Sequence, residues 1–495
     1  MLKSTGTTTE HAIQVDSNSL RTTNTHILCV DLDETLLATD VLWESIILLL
    51  KHQPWTLFLL PLWYLRGPAH IKRRIAERTI LDPSSLPYRQ DVLDFLKQEH
   101  SQGRTIVLAT GSDYQPAEAI ANHLGIFAEV LASDGRTNLS GHPKSQKLID
   151  RFGERGFDYI GDNKKDLSVW AHAHSALLVD PTDHVLTEAE KSCPVIKIFY
   201  KESQLLHSLV QAFRLGQWVK NILIFLPLLA SHQLNNWTLS SKTLWAFLSF
   251  SLCASSIYIL NDLLDLQADR RHPKKKHRPF ASGALSISYG FLMIPTVFLG
   301  AITLAFVNLP GSFLTLLGLY VATTAGYSLF FKQVAILDVL ILAGLYAVRI
   351  LAGGVAIDVQ ISAWLLAFSM FFFLSLAFTK RYLELQYRKV GKRQGLERRA
   401  YQGQDKQILA TMGIISGYLS VLVLALYINS ADILMRYHNH EVLWLTCPLL
   451  LYWISRNWLL AHRGTLDDDP LILAIKDPHS YIVVIAGGLI ALFAM

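Results

Sequence analysis

Asn261-Asp262-Leu263-Leu264-Asp265-Leu266-Gln267-Ala268-Asp269, with the basic run Arg270-Arg271-His272-Pro273-Lys274-Lys275-Lys276-His277-Arg278 behind it, is the stretch on which the fold turns. At about 100° per residue, offsets of 0, 3 and 7 put the carboxylates of Asp262, Asp265 and Asp269 within about 60° on one helical face. Three clustered acids repel one another, and near a membrane that is costly unless a cation lies between them. Magnesium takes a few carboxylates together with phosphate oxygens of a substrate, so an acidic face beside a basic loop suits a metal–diphosphate ligand. The plainer reading is an acidic helix end neutralised by the Arg/Lys run that follows it.

The surroundings are a membrane protein's. A chain of 495 residues has room for two or three domains, and a hydrophobic content of 51% exceeds that of an ordinary soluble protein. Apolar runs near 219–234, 243–263, 285–307, 311–330, 334–356, 362–379, 408–428, 442–461 and 480–495 predict about nine helices. The loops give an independent check. Those after the second and sixth runs carry Arg270, Arg271, Lys274, Lys275, Lys276 and Arg278, then Lys380, Arg381, Arg388, Lys389, Lys392, Arg393, Arg398, Arg399 and Lys406. The loop after the fourth has Lys332, whereas the odd loops offer little beyond Lys242 and Arg436. Positive-inside asymmetry places the even loops and the N-terminus in the cytoplasm. The net charge is only +5, so placement matters more than the total, and nucleic acid is not expected as a partner. Residues 1–25 are polar and lack the apolar core of a signal peptide, which predicts a flexible cytoplasmic tail. The four cysteines, Cys29, Cys193, Cys253 and Cys447, form no close pair and read as reduced, buried thiols.

The acidic motif followed by Arg278-Pro279-Phe280-Ala281-Ser282-Gly283 resembles the UbiA-type prenyltransferase superfamily over about residues 204–495. Tyr327, Lys332 and Asp338 resemble its second polar motif, although Leu342 stands where a second acid is usual. Gln217-Trp218-Val219-Lys220-Asn221 and Lys380-Arg381-x-x-Glu384 look most like the decaprenyl-phosphate phosphoribosyltransferases of that superfamily. The resemblance implies Mg2+ on Asp262, Asp265 and Asp269. It also implies substrate binding by Lys220, Asn221, Asn261, Arg278, Tyr327, Lys332, Asp338, Lys380 and Arg381. The phosphoribosyl branch uses phosphoribosyl pyrophosphate as donor and a polyprenyl phosphate as acceptor. The aromatic branch instead moves a prenyl group from its diphosphate to an aromatic acid. Arg349 lies far from the cytoplasmic end, which predicts pairing with Asp358 or snorkelling to the opposite interface.

The first 200 residues carry a different pattern. His26 to Val30 reads as a buried strand ending in Asp31-Leu32-Asp33-Glu34-Thr35, and Thr105 to Ala109 as one ending in Thr110-Gly111-Ser112-Asp113. Lys144 follows, and Phe157 to Ile160 leads to Gly161-Asp162-Asn163-Lys164-Lys165-Asp166. Polar groups at the carboxyl ends of successive strands are what a parallel α/β sheet presents at its ligand crevice. The four elements in this order resemble the haloacid dehalogenase superfamily of phosphotransferases over about residues 26–185. The resemblance implies Asp31 as nucleophile, Asp33 as general acid and base, Thr110 on a phosphate oxygen, and Lys144 as the balancing cation, with Lys147 its rival. Mg2+ is expected on Asp31, Asp33 and Asp162, with Asp166 in support.

The expected architecture has two domains: an α/β Rossmann-like haloacid dehalogenase fold with a helical cap, then an all-α polytopic membrane bundle. The cap is placed at about 41–90, a linker at 186–203 and the bundle at 204–495. Trp55 to Leu65 is apolar and aromatic, but its 11 residues are too few to span. A cap lying on the bilayer surface is one reading, and a buried cap core is the other. Function follows in three versions. In the first, the bundle moves 5-phosphoribose to a polyprenyl phosphate and the phosphatase removes the 5-phosphate, on the inner side of the cytoplasmic membrane. In the second, an aromatic-acid prenyltransferase is fused to a phosphatase acting on a separate metabolite. A transporter with a phosphate sensor ranks last, because charges are scarce at the expected midplane.

Overall fold

The structure, a computed structural model, describes residues 26–200, 205–389, 401–430, 433, 437–466 and 477–494. The predicted tail at 1–25 and the basic residues Lys392, Arg393, Arg398, Arg399 and Arg436 lie outside them. The chain divides into two compact units. One comprises Met1–Leu37, Phe58–Pro83 and Tyr88–Lys201; the other comprises Ala38–Leu57, Ser84–Pro87 and Glu202–Met495.

In the first unit, β1 (Ile27–Val30), β2 (Ile106–Asp113), β3 (Glu129–Ser133), β4 (Phe157–Gly161), β5 (Ser175–Val179) and β6 (Val195–Phe199) form a parallel sheet in the order β3-β2-β1-β4-β5-β6. Strands β1, β4 and β5 are almost continuously buried, as both faces of a parallel sheet require. The order reverses beside β1, so the loops after β1, β2 and β4 open onto one crevice. Segment 186–203, expected as a linker, instead holds most of a helix, Asp183–Ser192, and all of β6. A short polar helix before an amphipathic edge strand gave little apolar signal.

The helices number α1 (Val41–His52), α2 (Leu60–Tyr64), α3 (Pro68–Ala76), α4 (Gln90–Ser101), α5 (Tyr114–Leu124), α6 (His142–Phe152), α7 (Leu167–Trp170) and α8 (Asp183–Ser192). Of the segment expected as a cap, α2 and α3 group with the sheet unit, whereas α1 groups with the second unit. Around α2, Trp55, Phe58, Leu62, Tyr64 and Leu65 are exposed, Trp55 at 80%, while Trp63 is buried beneath the Arg78 guanidinium.

The second unit is helical: α9 (Leu205–Ala212), a turn at Leu215–Phe225 running into α10 (Leu226–Ala230), α11 (Trp237–Leu264), α12 (Leu266–Arg271), α13 (Ile287–Asn308), α14 (Gly311–Leu329), α15 (Leu337–Ile357), α16 (Ala363–Lys389), α17 (Lys406–Ile428), α18 (Thr446–Arg463) and α19 (Pro478–Ala494). Among the described residues, five helices are long and apolar enough to cross a membrane: Trp237–Leu264, Ile287–Asn308, Leu337–Ile357, Ala363–Gln386 and Gly403–Ile428. The other expected crossings fall on Leu215–Ala230, Gly311–Leu329, Thr446–Arg463 and Pro478–Ala494, which are shorter or less apolar. Small residues along α11, among them Ser249, Ser251, Ala254 and Ser255, are buried, which lets neighbouring helices approach closely. All four cysteines are free and buried.

Candidate functional site

In the sheet unit the crevice gathers the predicted polar groups. Lys144 Nζ, at the start of α6, donates to Asp31 Oδ2 at 2.6 Å and to the Tyr159 hydroxyl at 2.8 Å. Tyr159 donates in turn to Asp166 Oδ1 at 2.9 Å, and Lys144 lies 3.5 Å from the same oxygen. Thr35 Oγ1 donates to Asp162 Oδ1 at 2.9 Å, and Ser112 Oγ to Asp33 Oδ2 at 2.6 Å. Thr110 is fully buried and accepts from the Ser112 backbone N–H at 3.0 Å. The rival Lys147 has no part in this network, whereas Lys144 is central to it. Gly161 is required here: a side chain on it would come within 2.7 Å of Asp166 Oδ2.

Asp31, Asp162 and Asp166 each offer an oxygen, and these oxygens lie within 4.8 Å of one another. Asp33, also expected as a ligand, is not among these three side chains, whereas Asp166, expected in support, is. Burial pushes the Asp31 carboxyl up to about 6, against the pull of Lys144, and burial likewise holds Asp162 well above the usual carboxylate range. Burial disfavours the Lys144 ammonium, yet the carboxylates of Asp31 and Asp166 more than offset it and hold the amine above its ordinary value. Three carboxylates, Asp31 and Asp166 buried and Asp162 half-buried, outnumber the one lysine beside them. Hard, all-oxygen ligation of that charge fits Mg2+. Tyr159 is the functional group that sequence reasoning missed. Its signal was its position, two residues before Gly161 on a strand otherwise apolar on that face.

In the helical unit the acidic motif takes a different form. The expected continuous face is interrupted at Asp265, where φ −101° and ψ 11° separate α11 from α12. Asp262 is buried and bridged by Arg214 and by Arg278 Nη1 at 3.0 Å. Asp269, also buried, is paired with Arg278 as well, with Lys275 at 3.7 Å. Asp265 is left half-exposed, 4.0 Å from Lys51. Among the described residues, the one group of acids drawn close enough to share an ion is that of Asp31, Asp162 and Asp166. The arginine-bridged arrangement at Asp262 and Asp269 does not fit a resident ion. Arg214 is the residue missed; it precedes Gln217 by three positions and carries a left-handed φ of 51°.

The second polar motif is also an ion-pair cluster. Asp338, fully buried at the start of α15, accepts from Arg381 Nε at 2.6 Å and from the Tyr401 hydroxyl at 2.6 Å. Arg381 also donates to both Glu384 oxygens, at 2.9 and 2.8 Å, and to the Tyr327 hydroxyl at 2.6 Å. The acid absent at Leu342 is thus matched by Glu384 from α16. Lys220 is buried and Asn221 donates to Ser251 Oγ at 2.9 Å, while Asn261, Lys332 and Lys380 are half-buried. Arg349 neither pairs with Asp358 nor reaches an interface. It is buried against Asn221 Oδ1 at 2.8 Å, because Asn221 faces α15.

Segment 38–57 belongs to this unit and braces the motif. Glu44 and Arg270, both buried, form a two-pronged ion pair, and Arg270 Nε donates to Ala281 O at 3.0 Å. Lys51 Nζ donates to Leu264 O at 2.8 Å, and Ile47 and Trp43 pack with Ile259, Leu263, Phe280 and Ile287. Gly283 has φ +73°, and a Cβ there would meet Ala38 O at 2.5 Å. Glu44→Ala leaves Arg270 buried without its carboxylate, which is expected to cost about 3–5 kcal/mol. A fall in melting temperature of the purified chain in detergent would register it, and an unchanged value would refute the bracing role.

Residues 222–473 match the model of the UbiA prenyltransferase family. The chain belongs to the UbiA prenyltransferase family. The protein "Uncharacterized protein y4nM" of Sinorhizobium fredii is 35% identical over 469 residues, covering 94% of this chain and 89% of that one. "Nodulation protein NoeC" of Azorhizobium caulinodans is 35% identical over 287 residues, 58% of this chain and 92% of its own. "Decaprenyl-phosphate phosphoribosyltransferase" of Mycolicibacterium smegmatis is 28% identical over 291 residues, 57% of this chain and 90% of its own. As a UbiA-family chain with five helices able to cross a bilayer, this is a multi-pass membrane protein.

Proposed function

We propose that the bundle of this UbiA-family enzyme transfers 5-phosphoribose from phosphoribosyl pyrophosphate to a polyprenyl phosphate. The fused sheet unit, a haloacid dehalogenase-type phosphatase, then removes the 5-phosphate. The transferase half is supported by a cluster of Arg214, Arg278 and Lys275 around two buried aspartates, in a chain similar to proteins named for that transfer. In the transfer, a lipid phosphate oxygen attacks C1 of the ribose, and the C1–O bond to pyrophosphate breaks. Cations gathered at the departing diphosphate stabilise its growing charge. The arginines now bridging Asp262 and Asp269 are the groups that a diphosphate would take. Those carboxylates become available to a cation only once the arginines have turned to that ligand.

The phosphatase half rests on one observation, the buried Asp31–Lys144–Asp166 network with Asp162 alongside. Mg2+ held by Asp31, Asp162 and Asp166 would supply positive charge against the phosphate. Asp31 attacks phosphorus as the P–O bond to the alcohol breaks, and Asp33, oriented by Ser112, gives the leaving oxygen its proton. Asp33 then takes a proton from water, which attacks the phosphoaspartate and frees inorganic phosphate and Asp31. Thr110 and Lys144 orient and neutralise the phosphate.

The basic even loops support a cytoplasmic N-terminus and an inner-membrane location, with the four shorter apolar helices completing about nine crossings. The exposed Trp55, Phe58, Leu62 and Leu65 suit the interfacial region of the bilayer. One assay decides the donor. Purified chain is given phosphoribosyl pyrophosphate with a polyprenyl phosphate, or a prenyl diphosphate with an aromatic acid. Product is expected from the first pair only, and product from the second alone would overturn the reading.

A further inference from the structure

Arg349 lies in the interior of α15, 5% exposed, among neutral partners. Its acceptors are Asn221 Oδ1 at 2.8 Å, the backbone oxygen of Leu345, and the Tyr320 hydroxyl at 3.5 Å. Its guanidinium carbon is 5.4, 5.3 and 5.5 Å from the rings of Phe250, Tyr320 and Tyr346. Among the described residues no carboxylate pairs with it. A buried cation inside a membrane bundle is costly unless an anion meets it, and such residues mark ligand paths. Aromatic faces soften the charge but do not cancel it. The fork also has more N–H donors than these acceptors fill.

The surroundings are arranged to hold this group ready. Asn221 Nδ2 donates to Ser251 Oγ at 2.9 Å, which turns the amide oxygen toward Arg349. Lys220, the next residue, is also buried. Arg349 follows Asp338 by eleven residues on α15, and Ser251 precedes Asp262 by eleven on α11, so this level lies about 16 Å along the helices from either acidic cluster. The side chain leans back toward the Asp338 end, as its bond to Leu345 O, one turn earlier, requires. It is a second cationic position, set deeper in the bundle than the arginines at Asp262.

We propose that Arg349, oriented by Asn221, binds the phosphate of the polyprenyl acceptor, a monoester anion that enters from the bilayer. This rests on the acceptor proposed above being a lipid phosphate. The donor's diphosphate has its own cations in Arg214, Arg278 and Lys275, whereas the acceptor's phosphate must be met nearer the apolar interior.

The test is binding of farnesyl phosphate to the purified full chain in detergent, with phosphoribosyl pyrophosphate and inorganic phosphate as separate arms. Arg349→Met is expected to weaken farnesyl phosphate by at least about tenfold and to leave phosphoribosyl pyrophosphate within about twofold, with Arg349→Lys recovering part of the loss. Should Arg349→Met fail to fold, Asn221→Asp carries the test: it gives the guanidinium a carboxylate in place. That change is expected to keep or raise the melting temperature while weakening farnesyl phosphate by a similar factor. Folded variants that bind farnesyl phosphate as the wild type does overturn this inference alone. So does a loss confined to phosphoribosyl pyrophosphate, or inorganic phosphate binding as tightly as the lipid. A wild-type chain that ignores farnesyl phosphate overturns the acceptor reading together with this inference.

Discussion

Asp31→Asn is expected to lower phosphate release by about 10^4-fold or more, the scale seen when a covalent nucleophile is removed. Asparagine keeps the size of the side chain, so the fold of β1 and its loop should persist. What is lost is the charge that attacks phosphorus in the proposed mechanism and the acceptor of the 2.6 Å bond from Lys144. Asp166, 3.5 Å from Lys144, still compensates the amine, so the variant should remain soluble in detergent and fully folded. With both substrates supplied, lipid-linked 5-phosphoribose should then accumulate, because the bundle's residues are untouched. Chromatography of the lipid products separates the outcomes. If the variant still releases phosphate at the wild-type rate, Asp31 is not the nucleophile. If release stops and no 5-phosphate product builds up, the two activities do not act in sequence.

Asp262→Asn is expected to cost the transferase about 10^2–10^3-fold in turnover, comparable with losing one group that stabilises transition-state charge. Its carboxylate is the acid on which Arg214 and Arg278 both converge, so its removal strips Arg214 of its carboxylate and leaves Arg278 on Asp269 alone. Asp265→Asn is the internal control. That carboxyl is half-exposed and lies 4.0 Å from Lys51, so its loss should matter several-fold at most. Equal losses at the two positions would restore the single acidic face that the spacing predicted. Transfer rates measured at saturating donor, with melting temperatures alongside, distinguish a chemical loss from an unfolded bundle.

The parallel sheet and its crevice were legible because strand ends and functional groups coincide in sequence. Asp31, Thr110 and Asp162 each close an apolar run, and topology brings those runs side by side. Lys144 was legible by spacing, and the structure puts its amine on Asp31. The break at Asp265 was not, since a period of 3.6 residues assumes an unbroken helix. The partners of the acids were equally hidden: Arg214, Glu384 and Tyr401 come from other segments, and one sequence does not reveal which distant side chains meet. Arg349 was misplaced for a related reason. Depth along a helix can be counted from residue numbers, but the neutral cage of Asn221, Tyr320 and Phe250 depends on three other elements. Edge strand β6 escaped notice because its alternation is shallow and Lys197 interrupts it.

The division of the chain does not follow its linear order. Between residues 37 and 88 the polypeptide passes from one unit to the other four times, at 37–38, 57–58, 83–84 and 87–88. No single scission can therefore separate the two units intact. A recombinant fragment starting near residue 204 would keep Arg270 and lose Glu44, exposing a surface whose complement is encoded 226 residues upstream. Shuffling either half onto another enzyme would require transplanting helix α1 with the bundle and re-joining the loop that leaves Asp33. In a gene with this layout, the two units are inherited as one piece.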